Sequence, residues 1–89
     1  MTTLFRQFFV WKWLSEREAL RYCCFENLET GRFCVQNVDF IHLPPNETSL
    51  RQQERMIAEL FIETSPLERA QWFDTVIAAI AAHDSDFSN

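Results

Sequence analysis

The chain has 89 residues, of which 47% are apolar and 15% aromatic, with one glycine and three prolines. This length and composition indicate one globular domain over residues 1–89 and exclude a disordered chain. The net charge is −5 and the acidic excess lies in residues 46–89, which therefore repel phosphate, while residues 1–45 are neutral. Nucleic-acid binding is not expected.

Membrane insertion and export are not expected either. No apolar run approaches the ~20 residues that a membrane span needs, and no targeting segment is visible. The three cysteines are an odd number, which a secreted scaffold held by disulfides rarely carries. We therefore expect a cytoplasmic protein with reduced thiols and no cofactor.

The first predicted element is a β-strand, LFRQFFVWKWL, over residues 4–14. Side chains alternate between the two faces of a strand, so Phe9, Trp11 and Trp13 would share one face. The pattern favours packing of this face in the core, beneath helices. The alternative is a surface patch that binds another protein; stacking of nucleic-acid bases on the tryptophans conflicts with the charge.

Two further strands are predicted over residues 19–27 and 32–43, joined by the hairpin loop NLETG at 27–31. Gly31 is the only glycine of the chain, and it stands where the loop needs a residue with positive φ. A capping-box pattern ahead of the second strand leaves a helix over residues 16–24 as an alternative. Because this segment leads directly into the hairpin loop at 27–31, the strand is the favoured interpretation.

The third strand changes phase along its length. Phe33 and Val35 share one parity, whereas Val38 and Phe40 share the other. A bulge of one residue near Gln36 and Asn37 would keep both pairs on the core face.

Helical periodicity begins after Pro44 and Pro45 and predicts helices over residues 49–64 and 66–83. Ser65, followed by proline, is a strong helix start, so the first helix must end there. Residues 84–89 are predicted to be a short acidic tail. The expected fold is α+β: a three-stranded antiparallel β-meander followed by two α-helices packed on one face of the sheet.

The cysteine-bearing hairpin is the first candidate site. Its possible ligands or nucleophiles are Cys23, Cys24, Cys34 and His42. The adjacent cysteines point to opposite faces of a strand, and neither a C-x-x-C redox motif nor a zinc knuckle is present. Buried, inert thiols are the favoured interpretation, and a thiol- or metal-dependent activity centred on this hairpin is the alternative.

Two candidate interaction surfaces lie in the helical half. The apolar arc of the second helix is wider than a surface helix of a monomer usually shows. Either the sheet and the first helix cover both of its flanks, or a second copy covers one flank in a homodimer. The flank consists of Trp72, Val76 and Ala79. The acidic residues predict a partner with a basic surface. They are Glu59, Glu63, Asp84 and Asp86.

The sequence carries no phosphate-binding loop, metalloprotease motif or nucleophile elbow. We therefore expect a non-enzymatic protein that acts by protein–protein binding, as a regulator, an inhibitor or an immunity-type module. The alternative remains the thiol- or metal-dependent activity of the hairpin.

Overall fold

The computed structural model describes residues 2–87 and consists of a three-stranded antiparallel sheet followed by helices. The strands are β1 (Phe5–Ser15), β2 (Glu18–Asn27) and β3 (Arg32–His42), in the order β1-β2-β3. The central strand is therefore β2. This arrangement confirms the predicted α+β class and the β-meander, and β2 is a strand along its whole length.

The hairpin between β2 and β3 closes as predicted. The Asn27 side chain accepts a hydrogen bond from the Glu29 amide at 2.9 Å, and the Gly31 amide donates to the Asn27 carbonyl at 2.8 Å. Gly31 has a φ of 70°, which is the left-handed region that favours glycine. One side chain and one glycine thus fix the register of the hairpin.

The predicted bulge in β3 is confirmed. Cys23 pairs with Asn37 and Cys24 pairs with Val35, so Gln36 has no partner on β2. The extra residue places Phe33 and Val35 on the same face of the sheet as Val38 and Phe40, although Phe40 stays 50% exposed.

Helix α1 (Glu47–Glu63) begins at Asn46, whose side chain accepts a hydrogen bond from the Ser49 amide at 3.1 Å. The helix was predicted to begin two residues later, at residue 49. The break at Ser65 is confirmed, because the Ser65 hydroxyl accepts from the Leu67 amide at 3.2 Å and caps a new helix.

The second half differs from the predicted helix over residues 66–83. Helix α2 (Pro66–Arg69) is one turn long, and helix α3 (Val76–Phe87) begins only after an extended segment. In that segment Phe73 forms an antiparallel bridge with Phe33, with two backbone hydrogen bonds of 2.8 Å each. Pairing with β3 outweighs local helical propensity here, and α3 continues through most of the predicted tail.

The two long helices lie on opposite faces of the sheet, whereas one face was predicted. The Phe25 ring packs on Phe61 of α1 with centroids 5.2 Å apart. The Tyr22 hydroxyl donates to Asp84 of α3 at 2.8 Å. Tyr22 and Phe25 are three residues apart on a regular strand, so their side chains point to opposite faces. Both faces of β2 are therefore covered.

The main core lies between β2, β3 and α1. Its buried members are Cys23, Phe25, Cys34 and Ile57. Phe5, Ala70 and Trp72 pack against them from the side. This core centres α1 over β2 and β3, so the helix leaves part of β1 uncovered.

Candidate protein-binding surface

The three thiols of the hairpin are buried inside the fold. Cys23 and Cys34 belong to the core beneath α1, and Cys24 points to the other face of β2. Burial raises the pKa of Cys24 to about 12 and that of Cys34 to about 11, and it also raises the pKa of Cys23. The thiolate is the reactive and metal-binding form, so this environment disfavours both roles.

His42 does not approach the thiols. It lies exposed at the far end of β3, opposite Glu18. Eight residues separate it from Cys34, which is about 26 Å along an extended strand. Within residues 2–87 there is no group of three or more His, Cys, Asp or Glu side chains arranged to hold a metal ion.

Most of the predicted dimer flank packs against other residues of the same chain. The Trp72 ring stacks on Phe5 with centroids 5.8 Å apart, and its indole N–H donates to the Pro66 carbonyl at 3.3 Å. Ala79 is buried with 2% of its surface exposed, and Val76 is half-buried. The wide apolar arc therefore serves intramolecular packing.

The predicted acidic surface is divided by the sheet. Glu59, paired with Arg55 at 2.9 Å, and Glu63 lie exposed on α1. Asp84 lies on α3, on the other side, where it binds Tyr22 and pairs with Lys12 at 3.3 Å. The side chain of Asp86 lies outside the described residues. These carboxylates do not form one continuous patch.

The predicted packing of the aromatic face of β1 in the core is wrong. Phe9, Trp11 and Trp13 have 39%, 57% and 74% of their surface exposed. We call this row the aromatic edge. It leaves large rings in water on a domain that has few large buried side chains.

The outer side of β1 also carries backbone groups that no strand pairs. The Leu28 amide donates to the Leu4 carbonyl at 3.0 Å, so the even-numbered residues of β1 exchange hydrogen bonds with β2. The N–H and C=O groups of the odd-numbered residues point away from the sheet. Within residues 2–87, β2 is the only strand beside β1. The aromatic edge and these free groups belong to the same residues.

A groove of about 520 Å³ runs between the N-terminal half of β1 and α1. Its lining is mostly apolar. The residues are Phe5, Gln7, Phe9, Phe25, Glu54, Ile57, Ala58, Phe61 and Ile62. The groove is thus a concave apolar surface beside a strand that can accept another strand, which is a known arrangement for binding extended peptides.

A buried ion pair contacts two rings of the aromatic edge. Arg21 Nη2 lies 3.1 Å from Asp39 Oδ2, and both side chains are 8% exposed. The Arg21 guanidinium lies 4.7 Å from the centroid of Phe9 and 5.9 Å from that of Trp11. These cation–π contacts hold the two rings against the sheet and fix their orientation.

No protein-family model matches the chain, and no curated protein and no solved structure matches it. None of the helices in residues 2–87 combines the length and apolar character that crossing a membrane requires. A function must therefore be inferred from the geometry of this surface.

Sequence reasoning missed the groove and its α1 wall at Glu54 and Ala58. It depends on where α1 crosses the sheet, which no local pattern encodes. One signal for the free edge was present: Lys12, between two tryptophans, is the type of residue that edge strands carry.

Proposed function

We propose that this protein acts by binding other protein chains through β1 and has no catalytic role. The observation that carries this proposal is that one edge strand combines exposed aromatic rings with backbone groups that no other strand in residues 2–87 pairs. An open edge of this kind pairs readily with another strand. The rings then supply affinity and the backbone groups supply orientation.

The exposed rings are large enough to anchor a complex. Tryptophan is enriched among the residues that dominate binding energy. Trp13 is the most exposed of the three rings of the aromatic edge. Because 74% of its surface is exposed, its burial would contribute about 3–5 kcal/mol at roughly 25 cal/mol per Å² for a ring of 150–250 Å².

The acidic excess lies in residues 46–89 and favours foreign partners with a basic surface, whereas residues 1–45, which contain β1, have no net charge. A small, acidic binding protein of this type suits the role of a cytoplasmic regulator, inhibitor or immunity-type module. A thiol- or metal-dependent activity has no support in the positions of the thiols and of His42.

The test uses two matched substitutions of exposed apolar residues. Trp13→Lys alters the aromatic edge, and Ile77→Lys alters α3, where Ile77 is 81% exposed. Tagged wild-type protein and both variants are used to isolate bound proteins from cells, with quantification by mass spectrometry. We expect at least a tenfold loss of bound partners for Trp13→Lys and none for Ile77→Lys.

Hydrogen exchange on a recovered complex then locates the contact. Protection of the Phe9, Trp11 and Trp13 amides on binding would support strand addition at β1. Equal recovery by all three proteins, or protection confined to the helices, would refute the proposal.

A further inference from the structure

We propose that the partner of β1 is a second copy of this chain, an inference that rests on the proposed function of β1. Two β1 strands pair antiparallel about a twofold axis at Val10. The pairing joins two three-stranded sheets into one of six strands. It also inserts Trp13 of each copy into the groove of the other.

The two halves of β1 are complementary in shape. The N-terminal half, with Phe5, Gln7 and Phe9, lines the groove. The C-terminal half carries Trp11 and Trp13, the most exposed rings of the aromatic edge. Antiparallel pairing places the C-terminal half of one strand beside the N-terminal half of the other. Under twofold symmetry each groove then receives the Trp13 ring of the other copy.

The charges select the register. An axis at Val10 places Trp13 of one copy opposite Gln7 of the other, at the groove. An axis at Phe9 would place Arg6 directly opposite Lys12 of the second copy, and like charges in that position are destabilising. An axis at Trp11 would extend the pairing into the irregular end of β1, where the register shifts after Trp13.

The backbone agrees with this register. In an antiparallel pair, residues opposite each other exchange hydrogen bonds at every second position. The axis at Val10 pairs odd residues with odd residues, namely Phe9 with Trp11 and Gln7 with Trp13. These are the residues whose N–H and C=O groups point away from β2.

The area predicts a dimer of moderate affinity. The exposed parts of Phe9, Trp11 and Trp13 in two copies come to roughly 800 Å², taking 200–250 Å² for each ring. Stable interfaces bury about 1,200–2,000 Å². The paired backbones and the α1 wall add to the area of the rings, and we expect the total to reach this range. We therefore expect dissociation in the micromolar range.

The first test is disulfide cross-linking at the axis. In the proposed register the two Val10 residues form a pair without hydrogen bonds, with Cα atoms about 4.5 Å apart, which a disulfide can bridge. The matched control is K12C, on the same face of β1. Two Lys12 residues would lie about 13 Å apart, which is too far. The native thiols are buried, so the wild-type background is low.

We expect V10C to form a covalent dimer under mild oxidation at low micromolar concentration, at least tenfold faster than K12C. Equal rates for the two variants would indicate random collision and overturn the proposed register. A failure of V10C to cross-link would overturn the pairing at Val10.

Sedimentation of the wild-type chain is the second test and does not depend on V10C folding. We expect a concentration-dependent equilibrium between monomer and dimer that Trp13→Lys shifts at least tenfold toward monomer and Ile77→Lys leaves unchanged. A wild-type monomer at about 100 µM would overturn this inference. If Trp13→Lys still abolished binding of a foreign partner, the protein-binding function would stand without the dimer. If Trp13→Lys changed neither the sedimentation equilibrium nor the binding of foreign partners, the dimer and the protein-binding function would both be refuted.

Discussion

Strands β1 and β2 have 11 and 10 residues and both are rich in aromatic and apolar side chains, yet they differ completely in burial. Residues 21–25 of β2 are buried in an unbroken run, and no residue of β1 is buried. The difference follows from position. Helices cover both faces of the central strand, as in sheets that are buried on two sides. Composition alone does not decide which strand lies in the core.

The two edges of the sheet differ as well. The edge of β3 is protected at its start, where Phe73 pairs with Phe33. Within the described residues, β1 has no such cover on its outer side. Within residues 2–87 the chain thus covers the start of one edge of the sheet and leaves the outer side of β1 open to pairing with another strand.

The largest expected effect contrasts the two strands directly. Phe25→Ala should lower the free energy of unfolding by about 3–5 kcal/mol, because it empties a buried site between Phe5 and Phe61. Trp13→Ala removes a larger ring from β1 but should change monomer stability by only about 0.5 kcal/mol. Urea denaturation, at a protein concentration too low for the dimer to form, measures the free energy of unfolding of both variants. Similar losses for the two variants would contradict the contrast in burial.

The next effect concerns the ion pair that links the strands. Asp39→Ala should destabilise by about 3 kcal/mol, because it leaves the Arg21 charge buried without its partner. The control is the double variant Arg21→Met with Asp39→Leu, which should recover most of the loss. Chemical denaturation gives the stability, and the tryptophan emission, to which Trp11 and Trp13 contribute, reports any loosening of the aromatic edge. A double variant as unstable as Asp39→Ala would show that the charge is not the cause.

A smaller effect is expected at the turn that sets β2 against β3. Gly31→Ala should cost about 1 kcal/mol. A Cβ at Gly31 would meet no atom within 4 Å, so the penalty comes from the positive φ alone. Gly31→Asn should cost less, because asparagine adopts this conformation more readily. Thermal unfolding distinguishes the two variants, and identical costs would point to a steric cause.

The smallest effect is expected on raising the pH from about 7 to 9. Burial raises the pKa of Cys24 to about 12 and that of Cys34 to about 11, from an ordinary value of 9.0. As the pH approaches that value, the unfolded thiols lose protons that the folded thiols keep. The unfolded state is then favoured. The contribution of the buried thiols to the free energy of unfolding should be fully present well below pH 9, fall slightly by pH 9 and fall more steeply above it.

Urea midpoints across this pH range test that expectation. Cys24→Ala should reduce the dependence without abolishing it, because the pKa values of Cys23 and Cys34 stay raised, and Trp13→Ala should leave it unchanged. A midpoint that stays constant up to about pH 10 would show that these thiols are accessible to solvent.

The features that could be predicted from the sequence are those with a local cause. Gly31 specifies the hairpin because positive φ is a property of one residue. The phase change between Val35 and Val38 specifies the bulge because strand side chains have a period of two. Ser65 specifies the helix break because its cap acts on the next two residues.

The features that could not be predicted depend on packing between distant segments. The extended segment around Phe73 is stabilised by Phe33, 40 positions earlier, so the helical period alone misplaced the helix. A local signal was nevertheless present: the Thr75 hydroxyl accepts from the Ala78 amide at 3.0 Å and marks the true start of α3. The placement of α1 and α3 on opposite faces had no local signal.

The order in which the ribosome supplies these segments has a consequence for the nascent chain. The meander pairs only consecutive strands, whereas Asp84 meets Tyr22 across 62 residues and Lys12 across 72. At about 5–20 residues per second, Asp84 emerges roughly 3–12 s after Tyr22. During this interval the face of β2 that α3 later covers is exposed. We expect a chaperone that binds apolar strands to engage the nascent chain in that window and to be released when α3 docks.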